Sequence, residues 1–199
     1  MKKICIVYYS ISGSTADIAG ILGHELAASG FSVETAKASD SIDLGRFDAV
    51  IIGSPMHMGN VRPPINAFIH THADQLSRNK VFFYYSLLYV TRISNMPDFT
   101  IPCHVDPSLG LKTIEKKDAS GFDRHHSMDY YLKRLYHQFR GVRLAGVAFF
   151  NGRLNIQALS LPERIFMNII IRLTAKEKEG NFLNPEAARA WTRDIASLM

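Results

Sequence analysis

Residues 4–9, Ile-Cys-Ile-Val-Tyr-Tyr, are apolar at every position. A strand written this way leaves no face for water, so it belongs inside a sheet covered on both sides, the usual setting of parallel strands. Residues 49–52 and 81–85 repeat the pattern, and 144–150 supply another buried strand, whereas Phe31, Val33 and Thr35 alternate with polar residues as a strand nearer the sheet edge does. Between these runs the period changes. Ile18, Leu22 and Leu26, beside Ile21, fall at helical spacing, with Gly30 placed to end that helix. After Pro63 and Pro64, the residues Ile65, Phe68, Ile69, His72 and Leu76 lie on one helical stripe. The last helix takes Asn184 as N-cap and Pro185 in its first turn, with Ala188, Trp191, Ile195 and Leu198 on its inner face. Strands alternating with helices predict an α/β fold, a sheet with helices on both faces.

At 199 residues the chain is expected to form one domain over 1–199, with two segments beyond the minimal alternation, at about 92–127 and 151–180. The first contains Pro97, Pro102 and Pro107, and reads as an ordered loop leading to a helix over 128–139. The second contains a helix before the C-terminal one, with Ser160 and Glu163 as a capping box ahead of Ile165, Phe166, Met167, Ile169, Ile170, Ile171 and Leu173.

The two cysteines, Cys5 and Cys103, cannot build a disulfide framework or a cysteine-based metal site. His104, His125 and His126 lie in or beside the longer segment without a second cysteine nearby, so no metal is expected. The apolar run at 4–9 is too short for a signal-peptide core, and a cytoplasmic protein is expected. Net charge is +5, and residues 111–180 hold 13 Lys or Arg against 7 Asp or Glu, while the rest of the chain holds 10 against 11. The basic character therefore belongs to one segment. It is either a solvated face or an attraction for an acidic small molecule, an anionic membrane surface or nucleic acid.

In open α/β sheets ligands settle beyond the carboxyl ends of the strands. Directly after Tyr9 come Ser10, Ile11, Ser12, Gly13, Ser14 and Thr15, and then a helix. A phosphate there would meet the open amides and positive dipole end of that helix, with hydroxyls as further donors and Gly13 allowing close approach. The loop has no Lys followed by Ser or Thr, as a nucleoside triphosphate loop requires, and no G-x-G-x-x-G for a dinucleotide, so a terminal monophosphate fits best. A helix cap without ligand would use the same residue types.

The run from Ile6 to Thr15, continuing to Ala19 and Leu22, resembles the FMN phosphate loop of the flavodoxin superfamily. That resemblance implies a doubly wound, five-stranded parallel sheet in the order 2-1-3-4-5, with FMN as cofactor. It also implies two loops against the flavin ring. Ser54, Pro55, Met56, His57, Met58, Gly59 and Asn60, following Gly53, are similar to the Gly-x-Pro-x-x-x-Gly loop of many flavodoxin-like proteins. Ser86, Leu87, Leu88 and Tyr89 take the place of the second ring loop, where Tyr89 either stacks on the flavin or packs under the loop.

Gly59, Phe68, the run from His72 to Leu76, Leu144 to Gly146 and the extra apolar, basic helix are similar to the menaquinone-dependent protoporphyrinogen IX dehydrogenase family. This implies an FMN-dependent oxidoreductase that passes electrons from a reduced substrate through FMN to a quinone. Phe166 and Met167 above Arg172, Lys176 and Lys178 suit either peripheral membrane contact or ordinary packing. Met58 stands where that family usually has an aromatic residue, and 96–124 is longer. The alternatives are a flavodoxin-type electron-transfer protein, which the basic charge disfavours, and an NAD(P)H:quinone reductase. A small redox substrate or quinone is the expected partner, nucleic acid is not, and a homo-oligomer is compatible with this reading. No side chain is nominated as a catalytic acid or base.

Overall fold

The computed structural model describes residues 1–57, 59–94, 100–159, 161, 163–165 and 180–199, with His57 described by its backbone alone. The elements are β1 (Lys3–Tyr8), α1 (Ser14–Ala28), β2 (Ser32–Lys37), β3 (Ala49–His57), β4 (Asn60–Val61), α2 (Pro63–Thr71), α3 (Ala73–Leu76), β5 (Lys80–Leu87), β6 (Thr91–Ile93), β7 (Cys103–Val105), β8 (Lys112–Ile114), α4 (Gly121–His125), α5 (Met128–Gln138), β9 (Leu144–Asn151), β10 (Arg153–Leu154), β11 (Gly180–Asn181) and a C-terminal helix, Pro185–Leu198.

The apolar strands are buried because each feeds two hydrophobic layers. Ile4, Ile6, Ala49, Ile51, Phe82 and Tyr84 pack on one side with α1 and with Trp191 and Ile195 of the C-terminal helix. Cys5, Val7, Val50, Ile52, Phe83 and Tyr85 pack on the other with α2 and α5. The period of two along each strand divides its side chains between the layers. The main sheet runs β2-β1-β3-β5-β9-β7, parallel throughout. Its first five members, counted along the chain, have the flavodoxin-type order 2-1-3-4-5.

The sixth strand is an addition that the sequence did not announce. β7, from the segment expected to be irregular, pairs with the outer edge of β9, Cys103 opposite Val147 and Val105 opposite Phe149. In the same segment β6 and β8 form a small parallel pair. Three residues apiece are too few to show a period of two. The helical stripe expected from 65 to 76 is broken at His72, whose ring stacks on Phe68 at 4.3 Å, so that α2 and α3 are separate. Asn184 does not cap the C-terminal helix through its side chain, and Leu198 is exposed rather than inward.

Apart from Leu161 and residues 163–165, the extra helix lies outside the described residues, as do Ser160 of its capping box and Pro97. Glu163 accepts from Arg62 Nη1 at 2.9 Å. Among the described residues no helix is long and apolar enough to cross a membrane.

Candidate functional site

The parallel strands end nearly level. Tyr8 lies opposite Gly53, Pro55 opposite Ser86 and Leu87 opposite Asn151. The segments that follow β1, β5 and β9, and the end of β3 itself, therefore open along one edge of the sheet, where an α/β fold places ligands.

The first loop enters a helix whose mouth is open. Gly13 is its N-cap residue at φ 93°, a left-handed conformation that glycine adopts without strain, and no side chain caps α1. The first-turn amides are thus left for an outside acceptor. Ser10 Oγ is buried and has no hydrogen-bond partner. Ile11 and Ser12 are partly buried beside it, while Ser14 and Thr15 are buried. An orphaned hydroxyl at an uncapped helix mouth fits an anionic group of phosphate size.

Thr15 has a different task from the one its residue type suggested. Its hydroxyl lies 2.7 Å from Ser86 Oγ, and its carbonyl accepts from the Tyr84 hydroxyl at 2.8 Å. Thr15 and Ser86 therefore tie the first loop to the third instead of presenting free hydroxyls. Burial holds the Tyr84 phenol well above its ordinary pKa, so it stays a donor.

The second loop is a short hairpin. Met56 pairs with Val61 and His57 with Asn60, and Gly59 turns the chain at φ 75°. Ser54 is buried, its hydroxyl donating to the Pro55 carbonyl at 3.0 Å and accepting from Arg62 N at 3.3 Å, so it shapes the turn from inside. Pro55 and Met56 are partly buried and Asn60 is exposed. The His57 side chain and Met58 lie outside the described residues. A Cβ on Gly59 would come to 3.3 Å from Tyr130 Cε1 and 3.4 Å from the His125 carbonyl. The long insertion therefore seats its α4–α5 junction against the tip of this loop.

In the third loop Leu87 is buried and Leu88 is partly so. Tyr89 packs outward against the insertion, with its hydroxyl donating to Asp123 Oδ1 at 3.1 Å and its ring 5.6 Å from that of Phe122. Burial, and then this bond, raise its pKa. Near the same junction, Lys116, Arg124, Lys133 and Tyr130 line an open pocket of about 220 Å³. A larger groove of about 460 Å³, between residues 38–41 and α2, shares no residue with the three loops.

One contact to the site was missed in the sequence. Arg153, just beyond β9, reaches the first loop: Nη1 donates to the Ser12 carbonyl at 3.3 Å and Nη2 to Asp17 Oδ2 at 2.8 Å. Its position directly after the Asn151-Gly152 end of a buried strand was the available signal. Cys103, His104, His125 and His126 do not converge: His104 pairs with Asp194 at 3.3 Å, and among the described residues no three acidic, His or Cys side chains form a metal-sized group.

A family model described as a flavodoxin domain matches residues 5–181. A comparison with curated proteins finds no match. Among solved structures, a flavoprotein from Lactobacillus acidophilus NCFM in complex with FMN is 17% identical, covering 75% of this chain and 93% of its own, with a TM-score of 0.48. Two-electron reduced flavodoxin from Megasphaera elsdenii is 19% identical, covering 73% and 84%, with a TM-score of 0.47.

Proposed function

The chain belongs to the flavodoxin domain family, and on that premise we propose that it is an FMN-dependent oxidoreductase. The observation that carries this reading is the open mouth of α1: the loop leading into it holds a buried, unpartnered Ser10 hydroxyl, and its N-cap is a left-handed Gly13 with no capping side chain. Ser10, Ser12 and the amides from Gly13 to Thr15 would hold the phosphate. The hairpin from Ser54 to Asn60 and the loop from Ser86 to Tyr89 would flank the ring. Bound there, FMN would supply reversible hydride and electron transfer, which no side chain of the chain can supply itself. The residues of this chain bind, orient and exclude water; none is assigned as an acid or base.

At a finer level the proposed reaction passes electrons from a reduced substrate to a quinone, as in the protoporphyrinogen IX dehydrogenase family that the sequence resembles. Its support is that sequence likeness, together with the pocket near the Gly59 turn, where Lys116, Arg124 and Lys133 outnumber the single carboxylate of Asp129, a balance that suits a carboxylate-bearing substrate. The basic net charge weighs against a simple electron carrier, whose surface is typically acidic to match basic reductases.

The test is a visible spectrum of the purified protein reconstituted with FMN. Flavin absorption that stays with the protein through gel filtration, with FMN released on denaturation, is the expected result; no retained flavin overturns the reading. Stopped-flow reduction by NAD(P)H, and turnover of protoporphyrinogen with a menaquinone analogue, then separate the nicotinamide-linked enzyme from the proposed one.

A further inference from the structure

The loop at the mouth of α1 is built of neutral donors, and the charge nearest to it on its own helix is negative. Asp17 sits in the first turn of α1. A phosphate monoester is close to doubly charged at neutral pH, so a mouth with Asp17 and no cation would repel its own ligand at short range. Arg153 supplies the missing charge from another part of the chain, 141 residues away from Ser12.

Three observations place its guanidinium over the loop. It donates to the Ser12 carbonyl and pairs with Asp17. A Cβ built on Gly13 would lie 2.8 Å from Arg153 Nη1, so the guanidinium fills the space that a side chain at Gly13 would take. The backbone that carries it is pinned: Gly152 N donates to the Leu87 carbonyl at 2.9 Å, Phe182 N donates to the Gly152 carbonyl at 2.9 Å, and Arg153 itself pairs with Asn181. Only the side chain has to move. The pair with Asp17 is solvent-facing, with side-chain exposures of 31% and 45%, and an ion pair of that kind holds its partners weakly.

We propose that Arg153 is a phosphate-binding residue and makes this chain prefer FMN to riboflavin, its guanidinium leaving Asp17 to take the phosphate oxygens above Gly13. The inference rests on the FMN reading above. A planar guanidinium can give two parallel N–H bonds to a phosphate, which a lysine in the same place would not. Asp17 then acts as the resting partner, holding the cation near the mouth and competing with the ligand for it.

The experiment measures dissociation constants of FMN and of riboflavin, by quenching of flavin fluorescence, for the unmodified protein, Arg153→Met, Arg153→Lys and Asp17→Asn at several salt concentrations. Arg153→Met is expected to weaken FMN about ten- to hundredfold with riboflavin little changed, and to flatten the salt dependence of FMN affinity. Arg153→Lys should fall between. Asp17→Asn should tighten FMN several-fold, since it removes both the competitor and a like charge. Equal weakening of both flavins by Arg153→Met, which would signify packing alone, overturns the proposal, and so does an unchanged FMN affinity. Should the unmodified protein bind neither flavin, the FMN reading falls and this inference with it; FMN binding insensitive to Arg153 sinks the inference alone.

Discussion

The hydroxyls of Thr15 and Ser86 lie 2.7 Å apart inside the protein, joining the first turn of α1 to the end of β5 across 71 residues of chain. Both residues are buried, so replacing one strands the other without water. Thr15→Val is expected to cost about 1–3 kcal/mol of stability, and Thr15→Val combined with Ser86→Ala less than the sum of the single changes. A double-mutant cycle on urea denaturation measures this. Strictly additive costs would mean that the two hydroxyls do not interact.

Gly53 lies where β3 passes Tyr84. A Cβ there would meet Tyr84 Cζ at 2.1 Å, and Tyr84 is fully buried with its hydroxyl engaged by Thr15 O. Gly53→Ala is therefore expected to destabilise the protein by at least about 1–3 kcal/mol, because a filled core has nowhere to put the ring. Thermal denaturation reads the effect; a Tm within error of the parent protein would contradict it.

Asp106 is completely buried and accepts from three donors: Ser108 N at 2.9 Å, Asn151 N at 3.1 Å and Asn184 Nδ2 at 2.9 Å. It ties the chain just after the added edge strand to the end of β9 and to the start of the C-terminal helix. Asp106→Ala leaves all three donors without that acceptor and should cost about 2–4 kcal/mol, with Asp106→Asn costing less. Because Asn151 precedes the turn that carries Arg153, FMN affinity should fall along with stability. Full affinity in a destabilised Asp106→Ala protein would show that the anchor does not position Arg153.

Burial, reinforced by the carboxylate of Glu34 on the neighbouring strand, pushes the Cys5 thiol up from 9.0 to about 12. Below pH 9.0 both folded and unfolded chains keep the proton; between 9.0 and about 12 the unfolded chain releases it while the folded one holds it, so stability falls as pH rises. Cys5→Ala should flatten that decline when denaturation midpoints are compared across this range. In the native state the thiol should also resist alkylation. An unchanged slope in Cys5→Ala would assign the decline to other groups, such as the buried phenols of Tyr84 and Tyr85, whose pKa values are raised in the same way.

How much of the site could be read in advance depended on how local its determinants are. The open helix mouth was legible because strand, hydroxyl-rich loop and helix are contiguous between residues 4 and 26. The hairpin tip was legible at Gly59 for the same reason. Tyr89 was legible as a loop residue but not in its direction, since its contacts with Phe122 and Asp123 require α4 to be there. The edge strand at Cys103–Val105 was hidden because its pairing with β9 depends on the register of a distant strand.

From the sequence alone came the alternation of buried strands and amphipathic helices, the strand order implied by resemblance, and the position of the open helix mouth after β1. Each is written in the period and the neighbours of a short stretch of chain. Only the tertiary structure decided that Thr15 and Ser86 turn to each other, that the insertion braces two loops, and that Arg153 hangs over Gly13. Hydrogen bonds and ion pairs are fixed by a few ångströms of separation in space, and residues far apart in the chain acquire that separation only when the sheet is assembled.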